Sequence, residues 1–102
     1  MRRAALALLV LAAAGCAVRI PEPTREMADG DETVLAELKA GRELYVNKCS
    51  GCHALHGVDR YDDARWTAQV DEMLRLKKVK LRGEERRLLL RYLTRANDPG
   101  WK

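Results

Sequence analysis

The apolar positions of this 102-residue chain change period along its length, and the changes divide it. Ala4 to Ala14 is an unbroken apolar run that follows the positive start Met1-Arg2-Arg3. It is too short to span a bilayer and has the shape of a secretory signal, assigned to residues 1–15. In 16–32 the periodicity disappears. Pro21, Pro23 and Gly30 alternate with Arg19, Glu22, Arg25, Glu26, Asp29 and Asp31, so this stretch is expected to be a flexible tether with little to pack. From Thr33 a helical period sets in: Leu35, Leu38, Gly41, Tyr45 and Cys49 recur at steps of three and four, with Asp31 or Thr33 as cap. A second helix, capped by Asp62 or Asp63, carries Trp66, Val70, Met73, Leu74 and Lys77 on one side. The third carries Leu88, Leu89, Tyr92, Leu93 and Ala96, with Arg86, Arg87, Arg91 and Arg95 opposite. Glu84 and Glu85 sit in its first turn, where the helix dipole favours acids, and Asn97, Pro99 and Gly100 stop it. The prediction is an all-α domain of three main helices over 33–97, followed by a short tail, 98–102.

Composition shows what such a domain lacks. There is no Phe, and only two Trp and three Tyr. A mature domain of about 70 residues is marginal on its own apolar burial. A large bound group would complete the core, and the chain without it is expected to fold poorly.

Cys49-Ser50-Gly51-Cys52-His53 supplies the chemistry for such a group. This is C-x-x-C-H, the pattern of c-type haem attachment. Two thiols on one helical turn can each add to a haem vinyl group, and His53 then lies under the iron as fifth ligand. Two other uses compete. A redox dithiol normally follows a strand in a βαβ context, which is lacking here. A zinc site could draw on Cys49, Cys52, His53 and His56, but four ligands within eight residues converge poorly on a tetrahedral ion.

At this motif the chain resembles the small class I cytochromes c. The likeness extends to Gly41 and Tyr45, at the family's glycine and aromatic positions on the N-terminal helix, and to Leu89 and Tyr92, at the matching positions on the C-terminal helix. It implies a cytochrome c-like fold around one haem c held through Cys49 and Cys52, with the glycine letting the two helices approach closely. Met73 is the one methionine after the motif and becomes the candidate sixth ligand. It follows His53 by twenty residues, closer than in the family, and lies within a predicted helix. Core packing of Met73 is the alternative, with Lys77 or Lys78 as weaker ligand candidates. Trp66 should share the haem-facing side of the second helix. Tyr61, Arg65, Arg60 and Trp66 are candidates to meet the haem propionates, and His56 is expected near the haem edge.

The third cysteine, Cys16, closes Ala13-Ala14-Gly15-Cys16, which resembles a bacterial lipobox. Acylation of Cys16 would account for the one thiol that haem does not use; ordinary secretory cleavage is the alternative. Export and haem attachment agree, because C-x-x-C-H proteins are matured outside the bacterial cytoplasm. Charge is uneven: residues 17–72 hold seven basic and twelve acidic residues, residues 73–102 ten and three. Arg75, Lys77, Lys78, Lys80 and Arg82 could steer an acidic redox partner. A nucleic-acid role fits poorly with export. The expected function is one-electron transfer by a lipid-anchored protein on the periplasmic side of a bacterial membrane, inner or outer, with no catalysed reaction of its own. A haem sensor or small haem enzyme with an open distal site, or a zinc-binding lipoprotein, are the other readings.

Overall fold

Each helix starts where a side chain satisfies the free N–H groups of its first turn. A computed structural model describes residues 18–49 and 55–98, which hold three α-helices and no strand. Helix α1 (Glu32–Cys49) is capped by Asp31, whose Oδ1 accepts from the N–H groups of Thr33 at 2.8 Å and Val34 at 3.2 Å. A short 3₁₀ turn, Val58–Arg60, leads to α2 (Asp63–Arg75), capped by Asp62 through the Arg65 N–H at 2.8 Å. Helix α3 (Gly83–Ala96) opens with Glu85 reaching back to the Arg82 N–H at 2.9 Å. Asn97 closes it, as expected; Pro99 and Gly100 lie outside the described residues. Lys77 falls beyond α2, at φ 58°, in the left-handed region that ends the helix. It is therefore not part of the α2 stripe on which the sequence pattern put it.

The predicted stripes face one another. Leu38, Gly41 and Tyr45 of α1 are buried against Leu89, Tyr92, Leu93 and Ala96 of α3. Gly41 is what lets the backbones meet: a Cβ there would stand 2.7 Å from the Tyr92 Cβ and nearer still to the Leu88 carbonyl oxygen. Trp66 and Val70 of α2 complete the core with Val58. The charged faces pair as well. Arg86 forks onto Asp71 of α2 at 2.8 and 3.0 Å, while Arg87 and Arg91 of α3 converge on Glu37 of α1.

Residues 18–31 depart from the tether expected of them. Met27 and Ala28 are buried to 2% and 1% exposure in the core. Four carbonyls in this stretch accept long-range hydrogen bonds. Arg19 accepts from the Val58 N–H at 2.7 Å, Ile20 from the Arg42 guanidinium at 3.2 and 3.3 Å, Pro21 from the Tyr92 hydroxyl at 2.7 Å, and Met27 from Arg95 Nε at 2.7 Å. The segment is a strap across α1, α3 and the 3₁₀ turn. The reason is physical: backbone acceptors and the isolated apolar residues Met27 and Ala28 do the binding, and neither makes a periodic pattern. Among the described residues no helix is long and apolar enough to cross a membrane.

Candidate functional site

Helix α1 ends at Cys49, where the C-x-x-C-H motif begins, and this end opens onto a cleft of about 240 Å³. Its walls come from three directions. Tyr45 and Cys49 stand one helical turn apart on α1, Trp66, Val70 and Met73 share one face of α2, and Tyr61 closes the side between. Leu93 of α3 lies behind them, with Leu55 and His56 at the edge.

Trp66 is the keystone of this wall. Its ring meets Tyr61 edge-on at 5.0 Å and Tyr45 edge-on at 5.7 Å. Its indole N–H donates to the Val58 carbonyl at 2.8 Å, and the Tyr45 hydroxyl donates to the His56 carbonyl at 2.6 Å. Both polar handles are thus spent on the loop that follows the motif. The rings leave apolar surface for the cleft, and the loop is clamped at two points.

Charge is kept out. No charged or polar residue is buried among the described residues, and no buried side-chain polar atom among them lacks a partner. Burial pushes the Cys49 thiol above its ordinary range and holds the Tyr45 phenol well above its own. Both groups stay neutral at pH 7. At the rim, Glu72 is paired with Arg75 at 3.0 Å, Leu76 is 48% exposed, and Lys78 adds a cation.

Four of the residues singled out by the sequence pattern, Cys49, Met73, Trp66 and Tyr61, line this one cleft. Cys52, His53 and Cys16 lie outside the described residues. Arg65 does not line the cleft: its guanidinium lies 5.7 Å from the Tyr61 ring centroid, with Arg60 at 5.8 Å from the same ring, so both brace Tyr61 from outside. Tyr45 belongs to the site although the sequence pattern marked it only for helix packing. Its position one turn before Cys49 on the same face was the available signal. Leu93 and Leu55 carried no such signal, since distant segments bring them in.

Comparison with protein-family models, curated proteins and solved structures returns no match to this chain. The donor set of the cleft is its own guide. A thiol, a thioether and an imidazole edge are soft or borderline ligands, suited to transition metals, and the apolar walls suit a flat organic group. A hard cation such as calcium would require several oxygens, and among the described residues the one carboxylate lining the cleft, Glu72, is engaged by Arg75. The residues present fit a haem.

Proposed function

We propose that this chain is a monohaem c-type cytochrome that carries single electrons between redox partners on the periplasmic side of a bacterial membrane. One observation carries the reading: Cys49, first thiol of the C-x-x-C-H motif, lines an apolar cleft that Met73 also lines from another helix. When bound, haem supplies a one-electron ferric–ferrous couple. Cys49 and Cys52 would hold it as thioethers and His53 as proximal ligand, with Met73 as the sixth. Thioether formation replaces a titratable thiol by a neutral sulfur, so burial no longer opposes an ionisable group at Cys49. Tyr45, Trp66, Tyr61 and Val70 exclude water and fix the orientation of the bound plane. They surround it with a low dielectric, which together with a thioether ligand favours the reduced state.

The rim supports a docking role. Among the described residues Lys77, Lys78 and Lys80 have no carboxylate partner, unlike the α3 arginines. They share the loop that carries the exposed Leu76, a basic surface with an apolar centre that an acidic redox protein would fit. Cys16, acylated at its lipobox-like sequence, would provide the membrane anchor.

The test is covalent haem. Protein made in a host that matures c-type cytochromes should keep its haem through acid-acetone extraction, and Cys49→Ala with Cys52→Ala together should yield apo protein with little helix. Haem that extracts freely, or never appears, overturns the proposal.

A further inference from the structure

The strap changes what an anchor at Cys16 would do. This inference rests on the lipid-anchor reading above. Three consecutive carbonyls near the beginning of the strap are clamped to three different elements: Arg19 to the 3₁₀ turn, Ile20 to α1 through Arg42, and Pro21 to α3 through Tyr92. Cys16 precedes Arg19 by three residue steps. Covalent geometry limits that span to about 10 Å even when fully extended. An acyl group on Cys16 places that residue at the bilayer surface. The edge of the body where Arg19 is clamped then lies within about 10 Å of the lipid headgroups, because no leash separates the two.

That edge has a composition suited to the position. Val18 is 57% exposed, the most exposed large apolar side chain described. Arg19 follows it in the chain, and across the Arg19–Val58 hydrogen bond lie the exposed Asp59 and Arg60, the latter's guanidinium over Tyr61. Gly57 is packed against the Arg19 backbone, so strap and turn form one continuous surface. An exposed apolar side chain with polar and charged neighbours, Asp59 being the acid among them, suits the interface of a membrane.

We propose that the anchored protein rides directly on the bilayer, with the edge formed by Val18–Ile20 and Val58–Arg60 held against the lipid headgroups. The cleft, whose Leu55, His56 and Tyr61 flank the same turn, is then kept at the height of the membrane surface. A domain on a tether would instead sample many heights and orientations.

Lipid photo-cross-linking of the full-length protein in its host membranes tests this. A photoreactive phenylalanine analogue replaces Asp59 in one variant and Asn47 in another. Both positions are exposed, and Asn47 lies about 140° around α1 from Arg42, the residue that grips the strap. Phospholipid adducts should form at position 59 and be absent at 47. Inserting about fifteen Gly/Ser residues between Ala17 and Val18, with a reach of about 22 Å, should abolish the adducts at 59 while the protein stays in the membrane fraction. The insertion lies before the packed strap, so it leaves the fold alone. Equal adducts at 59 and 47, or adducts at 59 that survive the insertion, overturn the proposal. Failure of the anchor reading looks different: the parent protein, like Cys16→Ser, would be found in the soluble periplasmic fraction, and the inference would fall with it.

Discussion

Gly41→Ala separates close helix approach from ordinary helix preference, because the two act in opposite directions. In an unhindered helix the change stabilises by about 1 kcal/mol through lost backbone freedom in the unfolded chain and better propensity. At position 41 the new methyl would stand 2.7 Å from the Tyr92 Cβ and closer to the Leu88 carbonyl oxygen. Carbon atoms pack comfortably at about 3.5–4.0 Å, so α1 and α3 would have to part by roughly 1 Å. Neither obstacle can rotate away, since one is backbone and the other the first side-chain atom. Overpacking of this kind costs about 1–3 kcal/mol, and the rigid obstacles place it at the upper end. The net loss is about 2 kcal/mol, or a fall in Tm of about 8–16 °C for a domain of this size. Thermal unfolding followed by far-ultraviolet circular dichroism measures it on the cofactor-loaded protein. Gly83→Ala is the matched control: no atom lies within 4 Å of a Cβ built there, and Tm should hold or rise. A Gly41→Ala protein that melts at or above the parent would refute the packing argument.

Met73→Ala should remove the weak far-red charge-transfer band of an iron–sulfur bond in the ferric protein, lower the reduction potential and admit cyanide rapidly; an unchanged ferric spectrum would make Met73 a packing residue. Tyr92, buried and bonded to Pro21, is pushed up to about 12, so the folded chain keeps a proton that the unfolded chain releases near pH 10. Its contribution is therefore full below pH 10 and falls away as pH climbs to about 12, by about 3 kcal/mol. Tyr92→Phe should flatten that alkaline limb while costing about 1 kcal/mol at neutral pH for the lost hydrogen bond, and an equally steep limb in both proteins would contradict this account. Trp66→Phe leaves the Val58 carbonyl without its donor and should lower stability by about 1–3 kcal/mol in urea titration; no loss would mean the clamp on the 55–61 loop is not needed.

The helices could be read from the chain because their causes are local. Apolar residues at helical spacing and short acceptors at Asp31 and Asp62 act within a few residues of themselves, and all three helices formed where those signals stood. The close approach at Gly41 and Tyr92 was expected only from the family resemblance, since the apolar stripe by itself reads as ordinary core. What the tertiary structure alone decided has no local cause. The cleft joins Cys49 and Tyr45 to Met73, Trp66 and Tyr61 across segments whose relative placement depends on packing, and it leaves Arg65 outside. The arginines of α3 read only as the side opposite its apolar stripe; Arg86 pairs with Asp71 of α2, Arg87 and Arg91 with Glu37 of α1, and Arg95 with the strap at Met27. The strap was the least legible element. Its prolines and charges look like a linker, yet the carbonyls that bind it to the body belong to every residue type alike, and a backbone acceptor leaves no mark in a pattern of side chains.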